Sequence, residues 1–149
     1  MKLITLDPFN QEQNNLILKS DKGKELKSLI DSLTFKDKDE YKIFKNESND
    51  ILECLICLNE DSISNYCIYS GTKDNKLIQM KIDNLKDKKF VKESVDYAFL
   101  NLNAYTITIF SNKDSKLLES LGFESLGSDD GITTYIKEKE LDLEMERVR

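Results

Sequence analysis

The chain has 149 residues, the size of one ordinary domain, and its composition excludes several classes of protein. Asp and Glu total 28 against 22 Lys and Arg, a net charge of −6 with both signs interspersed, which argues against a nucleic-acid partner. The chain contains no histidine, so catalysis through imidazole and histidine-ligated metal sites are excluded.

Location and cysteine chemistry follow from the same composition. No apolar run approaches the roughly 20 residues of a membrane span, and the N-terminus lacks a basic flank followed by an apolar signal region. We therefore expect a cytoplasmic protein with no membrane partner and with free thiols. Cys54 and Cys57 lie at an odd spacing in an apolar run that predicts a strand, so they should point to opposite faces. With no second cysteine pair, no metal site is expected.

The first third of the chain predicts mostly helices. Pro8 should end a short first strand, because proline lacks the N–H that a central ladder needs. Apolar residues then recur at helical spacing in two segments. The elements expected here are a strand at residues 2–6, helices at 11–19 and 24–33, a charged loop at 36–40 and the first of a series of strands at 41–45.

Three apolar runs in the middle of the chain predict an antiparallel meander. They cover residues 51–58, 63–69 and 77–82, with turn-prone segments at 59–62 and 71–75 between them. The first run is apolar on both faces, so it should lie centrally in a sheet.

A long helix, a strand and a short helix are predicted next. Residues 86–102 form the longest helical pattern, and residues 105–110 alternate as a strand does. Ser111 and Asp114 have the spacing of a capping box, and Gly122 is suited to end the helix that follows. The apolar stripe of the long helix consists of Phe90, Val91, Val95, Ala98, Phe99 and Leu102.

The C-terminal segment predicts a hairpin and a charged end. Strands at residues 124–127 and 132–136 flank a turn at 128–131. We predict a single domain over residues 1–140 and a charged tail over residues 141–149.

The strand and short helix before this hairpin resemble the end of a GNAT-superfamily N-acetyltransferase. There, a strand is followed by Asn, a small residue and an apolar helix that ends in Gly-Phe. The predicted order of elements agrees with the GNAT order, with one additional or subdivided strand in the meander. The resemblance implies an α/β (α+β) fold, with a mixed, mostly antiparallel central sheet and helices on both faces. The matching positions are Asn112, Ser115, Leu117, Leu118, Leu121, Gly122 and Phe123, in a helix one residue shorter than usual.

The resemblance also implies an acetyl-CoA site where the fourth strand meets the long helix. The pyrophosphate would bind backbone N–H groups at the helix N-terminus. GNAT enzymes usually carry glycines there, whereas this chain has none between Thr72 and Leu121, and Asp83 and Asp87 would oppose an anion. The lysines of this loop have a second interpretation, as a solvated helix start. The residues expected at the acetyl-CoA site are Ile82, Lys86, Asp87, Lys88, Lys89, Phe90, Asn112 and Ser115.

No catalytic residue is assigned from the sequence. Many family members have a tyrosine that protonates the leaving thiolate, and the matching position here is Leu118. Glu53 and Glu60 are candidates for a general base, with the alternative that both are surface or edge carboxylates. Tyr66 and Tyr69 could shape an acceptor pocket or belong to the core.

Two functions from different classes remain open. The first is an acyl-CoA-dependent N-acetyltransferase that acts on a small-molecule or protein amine. The second is an inactive GNAT-fold protein that serves as a binding or regulatory module. The missing glycines and tyrosine favour the second, whereas the retained pattern at residues 112–123 favours the first, to which the interpretation inclines. The acceptor and the oligomeric state are left open.

Overall fold

The computed structural model describes residues 2–33, 35–60, 62–112 and 115–139. Seven strands in these residues form one sheet in the order β1-β2-β3-β4-β5-β7-β6, in which β4 and β5 are parallel and the other neighbours are antiparallel. The strands are β1 (Lys2–Thr5), β2 (Asp50–Asn59), β3 (Ser62–Thr72), β4 (Leu77–Ile82), β5 (Thr106–Ser111), β6 (Glu124–Asp129) and β7 (Ile132–Glu138).

Helices cover both faces of this sheet. Ile17 and Leu26, from the first two helices, pack into the core of one face, and Phe90 and Leu118, from the last two, pack into the core of the other. The expected mixed fold, with a mostly antiparallel sheet and helices on both faces, is confirmed. Within the described residues, none of the helices is long and apolar enough to cross a membrane. The helices are α1 (Gln11–Lys19), α2 (Gly23–Ser32), α3 (Lys38–Glu47), α4 (Lys88–Leu100) and α5 (Lys116–Ser120).

Strand β2 is buried on both faces, as its continuous apolar pattern predicts. Leu55 and Cys57 lie in the core beneath α4, whereas Cys54 and Ile56 lie in the core beneath α1 and α2. The two thiols therefore point to opposite faces, which confirms the interpretation of their odd spacing. Both are free and buried, and burial raises the pKa of Cys54 well above its ordinary value.

The strand predicted at residues 41–45 is wrong, because these residues belong to helix α3. The charged run expected as a loop at 36–40 is a loop only at Lys36 and Asp37, because residues 38–40 form the first turn of this helix. The Asp37 side chain accepts a hydrogen bond from the Glu40 N–H at 2.9 Å, and the Glu40 carboxylate accepts one from the Lys36 N–H at 2.9 Å. Tyr41 and Phe44 then share one helical face and pack on the Phe35 ring. Capping at the first turn thus sets the helix, and the expected additional strand does not exist.

Helix α5 begins later than predicted and ends as predicted. Ser111 is the last residue of β5, and Ser115 is the N-cap, whose hydroxyl accepts from the Leu118 N–H at 3.2 Å. The capping box expected at Ser111 is therefore wrong, and its other member, Asp114, lies outside the described residues. Gly122 has a φ of 93°. Its N–H donates to the Glu119 carbonyl oxygen, and the Phe123 N–H donates to the Leu118 carbonyl oxygen, as in a Schellman motif.

The C-terminal hairpin forms with a tighter turn than expected. β6 reaches Asp129 and β7 starts at Ile132, so Asp130 and Gly131 alone make the turn, with φ values of 51° and 80°. Two positive φ values are what a type I′ hairpin turn requires. The tail predicted at residues 141–149 lies outside the described residues, and the single-domain boundary stays a prediction.

Candidate functional site

A cleft opens where the parallel strands β4 and β5 separate. Their pairing ends at Met80 and Ile109, whereas the strands themselves continue to Ile82 and Ser111. The space between the two strand ends, the start of α4 and the start of α5 is a cleft of about 700 Å³. The cleft therefore results from the separation of the C-terminal ends of two neighbouring parallel strands.

The cleft brings together most of the residues expected at the acetyl-CoA site. Ile82, Lys86, Lys88, Asn112 and Ser115 all line it.

The other three expected residues lie at the first turn of α4, outside the lining of this cleft. Asp87 caps the helix and Lys89 is exposed. Phe90 is 0% exposed and packs in the core beneath α4, so its side chain cannot face a ligand in the cleft. The helix itself begins two residues later than predicted.

The cleft is electropositive although the chain is acidic overall. Its charged lining residues are four lysines, Lys81, Lys86, Lys88 and Lys116, and one aspartate, Asp83. The Asp83 carboxylate is paired with Lys22 of the turn before α2, and the Lys81 ammonium is paired with Glu25 of α2, which leaves Lys86, Lys88 and Lys116 without an ion-pair partner in the described residues. A cluster of like charges in a groove raises the local concentration of ligands of the opposite charge. The lining therefore suits an anion.

Lys81 and Lys116 were missed by sequence reasoning. Lys81 is the penultimate residue of β4, close in sequence to Lys86 and Lys88, whereas Lys116 is the first residue of α5, far along the chain from the other three lysines. Their place in the sequence could have predicted them, because each is adjacent to a residue that was expected at the site, Lys81 to Ile82 and Lys116 to Ser115.

The loop between β4 and α4 is held without glycine by the side chain of Asn65. This amide is 0% exposed, and its Nδ2 donates to the Asn84 carbonyl oxygen at 2.9 Å. Its Oδ1 accepts from the N–H groups of Asn84 at 3.0 Å and Tyr66 at 2.9 Å. Sequence reasoning missed Asn65, although a polar residue inside an apolar strand was a usable signal.

Asp87 occupies the position where the resemblance implies the pyrophosphate. Its carboxylate accepts from the Phe90 N–H at 3.2 Å, and its carbonyl oxygen accepts from the Val91 N–H at 2.9 Å. A carboxylate at this end of α4 stabilises the helix through the dipole, but it also opposes a second anion.

The wall formed by α5 is fixed by Tyr135 of β7. The Ser115 N–H donates to the Tyr135 hydroxyl at 2.9 Å, and Tyr135 is buried. Leu118, at the position where the resemblance implies a tyrosine, is buried in the core beneath α4 and α5. This position therefore offers the cleft no proton donor.

The candidate bases and acceptor-pocket tyrosines lie outside the lining of the cleft. The Glu53 carboxylate is paired with Lys45 of α3 at 2.9 Å, and Glu60 lies in the turn after β2 with a φ of 58°. Tyr69 is buried beneath α4, where its hydroxyl donates to the Ser94 carbonyl oxygen at 2.7 Å. Burial raises its pKa far above the ordinary value, so Tyr69 stays protonated.

Glu25 of α2 connects to the cleft through Lys81. Its carboxylate accepts hydrogen bonds from the Lys81 ammonium and from the Tyr66 hydroxyl. The bond from Lys81, followed by that from Tyr66, lowers the pKa of Glu25. The deprotonated Glu25 carboxylate thus lies next to Lys81 of the cleft, on the sheet face that α1 and α2 cover.

No protein-family model matches the sequence, and no curated protein matches it either. Solved structures match almost its whole length. N-acetyltransferase PseH from Campylobacter jejuni is 16% identical with a TM-score of 0.60, over 93% of this chain and 98% of that one. A chimera of spermidine N-acetyltransferase SpeG from Vibrio cholerae and hSSAT is 15% identical with a TM-score of 0.62, over 97% and 99%. The chain has the GNAT fold.

The GNAT fold is also that of PseH solved in complex with acetyl coenzyme A. That structure is 14% identical to this chain, with a TM-score of 0.58 over 93% of this chain and 100% of that one. Such low identity shows the GNAT fold and not a shared reaction.

Proposed function

We propose that the protein is an acetyl-CoA-dependent N-acetyltransferase that acts on a small-molecule or protein amine. The observation that carries the proposal is the lysine-lined cleft of about 700 Å³ between the separated ends of β4 and β5. The binding of acetyl coenzyme A by a protein of the same fold, PseH, supports it.

The residues of the cleft fit the parts of acetyl-CoA. Lys86 and Lys88 would contact the phosphates as point charges, since no glycine lets the backbone approach them. Asn112 and Ser115 would line the path of the pantetheine arm. The facing edges of the two strand ends no longer pair with each other, so they offer backbone groups to the amides of that arm. The cofactor would supply the activated acetyl group.

The chain's own contribution to the reaction would be mainly positioning. A cleft that holds the thioester beside an amine lowers the barrier without a dedicated acid or base. Leu118 cannot protonate the leaving thiolate, and we assign no catalytic residue. Asp87 would weaken cofactor binding by repulsion, so modest affinity is expected.

Calorimetry with acetyl-CoA tests the proposal. We expect saturable binding to the full chain and weaker binding to the double variant Lys86→Ala and Lys88→Ala. Lys92→Ala is the matched control, because Lys92 is exposed on the same helix and lies outside the lining of the cleft. Thiol release from acetyl-CoA in the presence of a panel of amines then tests transfer. Absence of binding heat and of a thermal shift at millimolar acetyl-CoA would refute the proposal.

A binding or regulatory module without acetyl-CoA is the alternative function. The observation that favours it is the Asp87 carboxylate, which already caps the start of α4. If acetyl-CoA fails to bind, this alternative stands, and a pull-down for a protein partner is the next measurement.

A further inference from the structure

A second cavity lies at the opposite end of β4 and α4 from the cleft. The cleft adjoins the residues after β4 and before α4, whereas this cavity adjoins Lys76, just before β4, and Leu102, just after α4. Its volume is about 390 Å³. Its other apolar lining residues are Phe44 of α3 and Ile51 and Leu52 of β2. The cavity is therefore separate from the site described above.

The most informative group in this cavity is the carboxylate of Glu53. Its side chain is only 11% exposed, and one oxygen accepts a hydrogen bond from the Lys45 ammonium at 2.9 Å. Within the part of the chain that the structure describes, nothing else donates to this carboxylate. A nearly buried carboxylate that lines a cavity and has spare acceptor capacity is a binding group for a cation or a hydrogen-bond donor.

The negative charge of Glu53 also affects the pKa values of two nearby tyrosines. Burial, and after it the charge of Glu53, raises the pKa of Tyr41 to about 12. Burial and then Glu53 also raise the pKa of Tyr97 to about 12. Both phenols thus stay protonated near the carboxylate at neutral pH.

The surroundings of Lys45 show which cation suits the site. Its ammonium contacts the Glu53 carboxylate and lies 5.6 Å from the centroid of the Tyr41 ring. A carboxylate together with an aromatic ring is a combination that binds organic ammonium groups. Lys45 and Glu53 both line the cavity, so its carboxylate already accepts from one primary ammonium, supplied by the chain itself, while the Tyr41 ring lies behind this pair, outside the lining.

Three lysines line the cavity, Lys45, Lys73 and Lys76, against two carboxylates, those of Glu53 and the exposed Asp50, so the lining disfavours a ligand that is only a cation. Lys73 is held in place, because its ammonium donates to the Lys45 carbonyl oxygen at 2.9 Å. Lys76 is exposed, and its side chain has no partner in the described residues. A ligand that brings an ammonium to Glu53 therefore needs an anionic group for Lys76.

We propose that this cavity binds a small apolar α-amino acid. The ligand's ammonium contacts the Glu53 carboxylate, its carboxylate faces Lys76, and its side chain packs on Phe44, Ile51 and Leu102. The volume is large enough to admit a ligand of this size, and the three kinds of lining group match its three parts. The inference is independent of the proposed acetyltransferase function.

Calorimetry of the full chain with L-leucine tests the inference, with two partial analogues as matched ligands. Isoamylamine lacks the carboxylate and isocaproic acid lacks the ammonium. We expect saturable binding of L-leucine at millimolar concentration. Each analogue should bind about 10-fold more weakly or worse, since each loses one charge-assisted hydrogen bond. No saturable heat with L-leucine, or equal binding of isocaproic acid, would overturn the inference.

Variants locate the binding. Glu53→Gln should weaken L-leucine binding about 10-fold or more, while its amide oxygen can still accept from Lys45. Lys76→Ala should also weaken binding several-fold, and because Lys76 is exposed it decides the question even if Glu53→Gln fails to fold. Lys86→Ala, in the distant cleft, is the control and should bind L-leucine as the wild type does. If neither cavity variant changes the affinity, the ligand binds elsewhere and the inference fails.

Discussion

The side-chain amide of Asn65 donates to the carbonyl oxygen of Asn84 and accepts from the N–H of the same residue, at 2.9 and 3.0 Å. This two-way bond joins the buried strand β3 to the loop that leads into α4. GNAT enzymes usually have glycines in this loop, and here a buried side chain specifies its path instead. The arrangement explains how the loop is ordered without glycine.

Replacing Asn65 by Ala should destabilise the protein by roughly 2 kcal/mol or more, because several backbone groups lose partners in a site closed to solvent. Urea unfolding midpoints measure the effect. Asn75→Ala is the control, since Asn75 is exposed in the turn before β4. Equal midpoints for wild type and Asn65→Ala would show that the amide does not hold the loop.

Gly122 should resist replacement by a residue with a Cβ. Its φ of 93° is strained for other residues, and a Cβ would lie 3.3 Å from the Lys137 ammonium. Gly122→Val should therefore cost roughly 1 kcal/mol or more in the free energy of unfolding. Gly131→Asn is the comparison, because Gly131 has open space around it and Asn tolerates a positive φ. The prediction fails if urea unfolding shows both variants to be equally stable.

Asp87→Asn should strengthen acetyl-CoA binding, in contrast to the lysine variants. Asn caps a helix about as well as Asp, so α4 should keep its start while the cleft loses a nearby negative charge. We expect an affinity several-fold above that of the wild type. The gain should shrink at high salt, where exposed charges are screened.

Calorimetric titrations at low and high ionic strength measure this effect. Asp96→Asn is the control, because Asp96 is exposed on the same helix and far from its start. Unchanged or weaker binding by Asp87→Asn would mean that the phosphates do not approach the start of α4.

Glu25 should make stability depend on pH below its ordinary pKa of 4.5. Its folded pKa is lowered, so its stabilising contribution is present above pH 4.5 and is lost as the pH falls through the lower, folded value. The side chain is 38% exposed, so Glu25→Gln should cost at most about 1 kcal/mol at neutral pH.

Urea unfolding of wild type and Glu25→Gln across this pH range checks the sign. The difference between the two should disappear in acid. Glu138→Gln is the control, since no ion pair forms at Glu138 in the described residues. A difference that grows in acid would contradict the assigned pKa direction.

The sequence by itself determined the features that depend on nearby residues. Alternation and helical spacing predicted most strands and helices, and Gly122 with Phe123 predicted how α5 ends, because the hydrogen bonds involved close within five residues. Local patterns also misled at residues 41–45, where the cap at Asp37 outweighed the preference of aromatic residues for strands.

Only the tertiary structure decided which distant residues meet. Lys81 and Lys116 share a cleft because β4 and β5 separate, and Lys45 reaches Glu53 because α3 packs beside β2. Asn65 meets the loop at Asn84 for the same reason: the sheet aligns strands whose register depends on the whole core. A periodic pattern states which face a residue occupies, but the neighbour it finds there is set by the packing of the whole sheet.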